Sequence, residues 1–524
     1  MTRILVADQL AEDGLGRLRE IGEVTVQTGL GEADLCAAVA DVDALVVRSQ
    51  TKVTEAVLDA GKRLRVVGRA GVGVDNIDVA AATKRGILVV NAPRGNIAAA
   101  AEHTVALMLS LARWIPQADA SVRRGEWQRS KYTGVEIRGK TLGVIGLGNI
   151  GTEVAKRAQG LEMEVIAFDP VVPEERAEQF NVELVSLDEL LQRSDFVTIH
   201  VPLVDATRNL IDADRLALMK ASARLINAAR GGIVDEAALA AALGRGEIAA
   251  AAADVFENEP PTGSPLLEQP NFVATPHIAA STAEAQTSVA FDVAEEVAAV
   301  LAGELPRYTV NAPALPAEEL AVLRPFAILA ERLGSLYVQL EGGRVGALEM
   351  VYEGEVAEAD PTLLTAAALR GLLAPFTEER INNVNARLVA AGRGLKLVER
   401  RIAGSASSYP SVIRLRVGDF EASGTVLLGE PRVIGIGAFR VDLVPEGRFL
   451  VSRHEDRPGV VGRFGTILGG HDINIASMQV GRDAPRGRAM MLLAVDDAVP
   501  DPVLNELRLV QGMSDLRYVE LGGR

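Results

Sequence analysis

The sequence predicts a doubly wound α/β protein built as two domains, one inserted in the other, followed by two smaller α+β units. Three observations carry this. Strand and helix patterns alternate from the first residue to about residue 300, as parallel sheets covered by crossover helices require. A glycine-rich turn at 146–151 closes a short apolar run and opens a helical one. It comes late, after a complete α/β unit of about 95 residues, so a second α/β domain begins inside the first.

Taken in order, strands are expected at Ile4–Ala7, Ala44–Val47, Val66–Val67 and Leu88–Val90, short apolar runs that suit buried parallel strands. Asn96–Arg113 contains IAAAAEHTVALMLSLA, whose spacing predicts a buried connecting helix on which His103 reads as a core residue. Leu142–Ile145 is the next strand, and Gly146, Gly148 and Gly151 follow it as G-x-G-x-x-G. The first glycine permits the tight turn, the second a close approach to a pyrophosphate, and the third close helix–strand packing, with the helix N-terminus facing the anion. Glu164–Phe168 then ends in Asp169, 18 residues past Gly151. A carboxylate there accepts hydrogen bonds from the adenosine ribose hydroxyls and repels a 2′-phosphate, which favours NAD over NADP. Further strands are expected at Phe196–His200, Arg224–Asn227, Ala251–Val255 and Phe272–Ala274, with the chemistry gathered at their C-terminal ends.

The domain boundaries that follow are 1–95 with 281–304 for a substrate-binding domain and 96–280 for a Rossmann-like nucleotide-binding domain, the cleft between them holding the substrate. ELPRYTVNAPALP after Gly303 has three prolines and no periodicity, and reads as a linker. An α+β unit spans 316–445, with a helix at Ala317–Leu340 and strands at Ser411–Val417 and Gly424–Leu428. Residues 448–524 read as strand, helix, two strands, helix, strand, the ferredoxin-like order.

Composition excludes several classes. The 524 residues suggest three or four domains, and the net charge of −16 argues against nucleic acid or an anionic membrane as partner. Cys36 is the only cysteine, so there is no disulfide framework and the setting is reducing, by default the cytoplasm. No apolar run approaches the roughly 20 residues of a membrane helix, and the apolar run near the N-terminus is too short for a signal sequence.

Three segments carry further chemistry. In NAARGGIVDE, Arg230 follows a strand and suits bidentate capture of a carboxylate, although alone it also fits a turn arginine. ADVFENEP brings Glu259, and TPHIAAST brings His277 just after a strand. Oxidising an alcohol releases a proton from oxygen as hydride leaves carbon, and a histidine with a carboxylate on its second nitrogen suits that proton. Taken singly, His277 fits a loop histidine with backbone-satisfied nitrogens better than a catalytic one; the company of Arg230 and Glu259 favours the catalytic reading. His200 ends a strand beside the expected cofactor. Arg48 and Arg69 each end a strand of the first domain and face the cleft, where NAD needs neither; they suit a substrate phosphate, with the amides of Ala70, Gly71, Val72 and Gly73 for a carboxylate.

GRAGVGVDNID, GLGNIG, NAARGGIVDE, DVFENEPP and TPHIAAST together resemble the D-2-hydroxyacid dehydrogenase family over residues 1–305, and DRPGVVGRFGTIL with INIAS resembles an ACT domain. The resemblance implies that Arg230 binds and polarises the substrate, that His277 is the acid/base and that Glu259 is its partner. It carries cofactor contacts onto Asn149, Ile150, His200, Pro202, Ala228, Asp254 and Ala280, and a basic spot at Arg129 and Lys131 that reaches a neighbouring subunit's cleft. It further implies a phosphorylated hydroxy acid as substrate, a homotetramer, and L-serine as an effector held by His454, Asp456 and Asn474, although ACT units also serve purely as dimerisation surfaces. Asp456 stands where some similar units have asparagine, and Ala279 where similar enzymes often have glycine. Two rivals share the pattern: a dehydrogenase for another 2-keto acid (hydroxypyruvate, glyoxylate or 2-oxoglutarate), and a non-catalytic NAD-sensing corepressor.

Overall fold

The first sheet follows from tetrapeptides such as RILV and ALVV, whose buried, β-branched side chains pack on both faces of a parallel sheet. A computed structural model of the protein describes the chain except residues 305, 313–316, 343–344, 378–380, 405–407 and 523–524. Five parallel strands lie in the order Glu23–Val26, Arg3–Val6, Ala44–Val47, Val66–Arg69, Leu88–Asn91. The edge strand Glu23–Val26 escapes the sequence reading because its EVTV is largely exposed. Helix Ala283–Leu301 returns to this sheet, burying Ala290, Val293 and Val297. Its approach needs glycines: a Cβ on Gly14 would stand 2.6 Å from the Ala290 carbonyl oxygen, and one on Gly68 2.8 Å from Val297.

The second sheet has seven parallel strands in the order Phe272–Ala274, Ala250–Ala253, Arg224–Asn227, Phe196–Ile199, Thr141–Ile145, Glu164–Phe168, Glu183–Leu184. Chain order reverses between Thr141–Ile145 and Phe196–Ile199, which opens a crevice beyond their C-terminal ends. Helix Ile97–Arg113 packs on this sheet and buries Leu107, Met108 and Leu111.

The predicted linker is not free chain. Residues 305 and 313–316 lie outside the described residues, but the part between is bound to the first sheet: Val310 N–H donates to Val89 O at 2.8 Å, and Asn311 accepts from Val89 N and donates to Ile87 O, both at 2.9 Å. Buried Glu296 accepts the main-chain N–H groups of Arg307 and Tyr308. Prolines remove the periodicity without removing the attachment.

The third sheet has six strands in the order Lys396–Ile402, Ala347–Gly354, Ser411–Val417, Phe420–Leu427, Glu430–Ile436, Phe439–Leu443, parallel only in the first pair. Helices Ala317–Glu341 and Thr362–Leu373 cover one face. The last unit is a four-stranded antiparallel sheet in the order Ile475–Arg482, Arg488–Val495, Gly447–Glu455, Met513–Leu521. Its helices Val460–Gly470 and Asp501–Arg508 bury Phe464, Leu468 and Leu507 on one face. Phe449, Val451, Met490 and Leu492 on the other face join the core under Ala317–Glu341, so the two C-terminal units, separate in the sequence reading, share one apolar core. No helix of the described residues is long and apolar enough to cross a membrane.

Candidate active site

Gly146 takes φ +94°, and a Cβ there would sit 2.6 Å from His200 O; one on Gly151 would sit 2.0 Å from Gly146 O. Neither position tolerates a side chain. Around Gly148 a Cβ would meet nothing within 4 Å, and no side chain caps the helix Asn149–Gly160 that starts there. Open ground in front of free helix N–H groups fits a pyrophosphate. Asp169 Oδ2 accepts from Leu147 N at 2.9 Å and Oδ1 from Val171 N at 2.9 Å and Val172 N at 3.2 Å, so it also ties the fingerprint turn to the turn after the neighbouring strand. Pro202, Ala228 and Ala280 lie on turns beyond the strands Phe196–Ile199, Arg224–Asn227 and Phe272–Ala274.

His200 closes the floor. Its N–H donates to Ile145 O at 2.7 Å and its Nε2 lies 2.9 Å from Thr198 Oγ1. Burial pushes its pKa down to about 4, so the imidazole is neutral when folded. Protons bind the unfolded chain near pH 6.5 and the folded chain only near 4, so stability from this group is full above about pH 6.5 and falls away as pH drops through 4, by on the order of 3 kcal/mol. The melting temperature is expected to decline over that window less steeply in His200→Asn than in the natural chain, as followed by calorimetry.

His277 Nδ1 stands 2.8 Å from Glu259 Oε2, while Glu259 Oε1 accepts from Phe256 N at 3.1 Å. Both side chains are partly exposed, and with Nδ1 on Glu259 the Nε2 has no hydrogen-bond partner among the described residues. His277 itself adopts φ +54°, a left-handed backbone that costs free energy in a non-glycine residue unless its surroundings hold it. Asp254 supplies the hold. Its main-chain oxygen accepts His277 N at 2.8 Å, and its carboxylate accepts Ile278 N at 2.9 Å, Ala279 N at 2.8 Å and Thr275 Oγ1 at 2.6 Å. Burial alone would raise this carboxyl; the hydrogen bonds from His103, Thr275 and the two amides outweigh it and hold it below the usual range. Expected as a cofactor contact, the Asp254 carboxylate is instead wholly buried and braces the histidine loop. Ala279 has negative φ, so its methyl is unstrained.

Across the crevice, Arg69 lies against Gly71, where a Cβ would come within 1.5 Å of its Nη1, and donates to Ala70 O at 3.1 Å. Its Nε is buried without a partner. Burial, then the nearby charges of Arg230 and Arg48, push Arg69 down to about 10. Three guanidiniums therefore converge on one place. Arg48 is set by buried Asp8, which accepts its N–H at 2.5 Å and the Thr51 hydroxyl at 2.8 Å; Asn76 donates to Arg48 O at 2.7 Å. Arg230 reaches over from the second sheet: its Nε donates to Asp75 Oδ2 at 2.9 Å, and a Cβ on Gly73 would fall 1.8 Å from its Nη2. A Cβ on Gly231 would meet Phe256 O at 2.0 Å, which seats the Arg230 turn against the turn that carries Glu259. Asp8, Asp75, His103 and Thr275 are site residues that sequence reading misses.

Two predicted groups are not assembled here. Arg129 stacks on exposed Trp127 and Lys131 on Tyr132. Lys131 borders a surface hollow with Pro270 and Asn271, at the end of strand Phe272–Ala274 opposite to His277. Of the effector residues, buried His454 and the nearby Asp456 lie at the C-terminal end of Gly447–Glu455, where Asp456 accepts from Arg482 at 3.2 Å and Arg486 N at 3.0 Å. Asn474 bonds Asp496 at the other end of the same sheet, so one chain does not bring the three together. No metal-binding group of three or more ligands occurs among the described residues.

A dinucleotide cradle facing a carboxylate-backed imidazole and a cluster of arginines defines a nicotinamide-dependent dehydrogenase of hydroxy acids. The D-isomer specific 2-hydroxyacid dehydrogenase NAD-binding domain matches residues 105–279, the D-3-phosphoglycerate dehydrogenase intervening domain 322–437 and the ACT domain 448–508. The chain is 46% identical over 99% of its length to all of the D-3-phosphoglycerate dehydrogenase of Methanocaldococcus jannaschii, and 43% identical, again over 99%, to all of that of Bacillus subtilis. The TT0316 protein of Thermus thermophilus is 37% identical with a TM-score of 0.55, covering 59% of this chain and 100% of its own. The Aquifex aeolicus D-lactate dehydrogenase complexed with NAD and lactic acid is 30% identical with a TM-score of 0.53, covering 57% and 96%. The chain belongs to the D-3-phosphoglycerate dehydrogenase family.

Proposed function

We propose that the protein oxidises D-3-phosphoglycerate to 3-phosphohydroxypyruvate with NAD, the first step of L-serine biosynthesis, and that L-serine feeds back through the ACT unit. The observation that carries this is the convergence of Arg48, Arg69 and Arg230 on the crevice that His277 and Glu259 border. A substrate with two anionic ends matches that charge; a simple keto acid leaves part of it unanswered. Arg230 and the amides of Gly71, Val72 and Gly73 hold the carboxylate, and Arg69 with Arg48 holds the phosphate; the Ala70 N–H, expected to join them, is instead taken up in the sheet by Val47 O at 2.8 Å. His277 Nε2 takes the hydroxyl proton as hydride leaves the same carbon, and Glu259 on Nδ1 keeps the ring oriented and stabilises the imidazolium. The nicotinamide, when bound, supplies the hydride acceptor. Asp169 favours NAD, since a 2′-phosphate would meet its charge.

Serine binding by His454, Asp456 and Asn474 requires two ACT units, which fits an oligomer, proposed as a tetramer. NADH oxidation with 3-phosphohydroxypyruvate, against equal 2-oxoglutarate and glyoxylate and with or without millimolar L-serine, tests the reading. Preference for the phosphorylated acid, suppressed by serine, is the expected result; preference for another keto acid overturns the pathway assignment, and indifference to serine overturns the effector. With Asp169→Ala the preference for NADH over NADPH is expected to narrow by at least about tenfold, the equivalent of roughly 1.4 kcal/mol.

A further inference from the structure

Two crossovers connect the first pair of sheets. One leads from strand Leu88–Asn91 into helix Ile97–Arg113, the other from strand Phe272–Ala274 into helix Ala283–Leu301. A single side-chain cluster joins them. His103, on the outgoing helix, places Nε2 3.1 Å from Thr275 Oγ1 and 3.4 Å from Asp254 Oδ1, and Thr275 Oγ1 lies 2.6 Å from the same carboxylate oxygen. Thr275 has one hydroxyl hydrogen and gives it to Asp254, which as a carboxylate can only accept. The contact with His103 therefore has one direction: imidazole Nε2–H donates and Thr275 Oγ1 accepts.

What lies beyond Asp254 is the loop that bears His277. Main-chain and carboxylate oxygens of Asp254 take the N–H groups of His277, Ile278 and Ala279. We infer that His103 is a positioning residue for hydride transfer, its Nε2–H fixing Thr275 and Asp254 and, through them, the left-handed backbone at His277 that aims the proton-carrying nitrogen. The inference rests on His277 being the acid/base, as proposed above. His103 touches neither the arginine cluster nor the fingerprint glycines, so it sets the alignment of the reacting atoms and leaves their binding alone. Its seat at the junction of both crossovers means that the contacts which aim His277 also hold the two domains' connecting segments together.

The test compares His103→Ala, His103→Gln and Thr275→Val with His277→Gln in the full-length enzyme. Gln places an amide N–H at the same reach as the imidazole Nε2–H; Ala supplies none. Expected for His103→Ala is a fall in kcat of between about ten- and a hundredfold, the scale of a misaligned reacting group, with KM for 3-phosphohydroxypyruvate and NADH binding by fluorescence within about threefold of the natural chain. His103→Gln is expected to recover most of kcat, and Thr275→Val to lose as much as His103→Ala. Unchanged kcat in His103→Ala, or equal loss in Ala and Gln with both folded by circular dichroism, overturns the inference. Should His103→Ala fail to fold, Thr275→Val alone decides by the same kcat criterion. Should His277→Gln keep its activity, it is the acid/base assignment that fails.

Discussion

Replacing His277 by glutamine is expected to lower kcat by about two to four orders of magnitude, the range that general acid–base catalysis contributes. Glutamine keeps a polar group near Glu259 but has no nitrogen that can take a proton near neutral pH. The loop should survive, because Asp254 binds the main-chain N–H of residue 277 and not its side chain. NADH binding, measured by fluorescence titration, should be unchanged while single-turnover hydride transfer collapses. A loss below tenfold would mean that the proton leaves by another group. Glu259→Gln should fall between the two, since it keeps a contact to Nδ1 but removes the negative charge that favours the imidazolium.

Arg69→Ala is expected to cost about ten- to a hundredfold in kcat/KM for 3-phosphohydroxypyruvate, the equivalent of one charge-assisted hydrogen bond of roughly 1.5 to 3 kcal/mol. Activity on unphosphorylated hydroxypyruvate should change little. The reason is electrostatic. A guanidinium whose Nε is buried without a partner, beside Arg230 and Arg48 and only in part offset by Asp75 and Asp8, gains from an arriving anion. The same reasoning expects no loss of melting temperature in Arg69→Ala, because the substitution relieves repulsion among like charges. Equal loss on phosphorylated and unphosphorylated acids would show that Arg69 does not hold the phosphate.

Much of this site is legible in the sequence, and what escapes it has a common cause. Gly146, Gly148, Gly151 and Asp169 form a local pattern, because strand, turn, helix and next strand are consecutive, and the pattern implies the cradle. Arg230, Glu259 and His277 stand in segments that family resemblance marks. Asp75 carries no signal: its partner is 155 residues away and nothing local ties an exposed aspartate to an arginine on another sheet. His103 reads as core because helical spacing shows that a helix has a buried face, and not that Thr275, 172 residues on, meets it there. Asp254 is marked as a cofactor contact by the family resemblance alone, but burial turns its oxygens toward the loop that follows the next strand. Arg129 and Lys131 are placed by analogy with an assembly, and within one chain they lie beyond the far end of a strand from His277. In the fold, the strands that escape are Glu23–Val26 and the two-residue Glu183–Leu184 at the edges of the parallel sheets, and Ala347–Gly354, Lys396–Ile402, Glu430–Ile436 and Phe439–Leu443 in the third sheet, each of which has charged residues among its apolar ones.

The bond between Arg230 and Asp75 bears on how tightly the enzyme holds any carboxylate. Asp75 is a carboxylate presented by the fold to the arginine proposed to receive the carboxylate of the substrate, and it is mostly exposed on its loop. The free protein thus carries an internal competitor for its own recognition site, at a local concentration that the loop sets and no dilution lowers. An acid bearing only one negative group merely trades places with Asp75, one ion pair for another, with little net gain. An acid bearing a second anion makes the same trade and in addition answers the charge at Arg69 and Arg48. On the proposed assignment of Arg230, Asp75 weakens every carboxylate by the same factor, and it is the charge at Arg69 and Arg48 that separates the doubly charged acids from the singly charged ones.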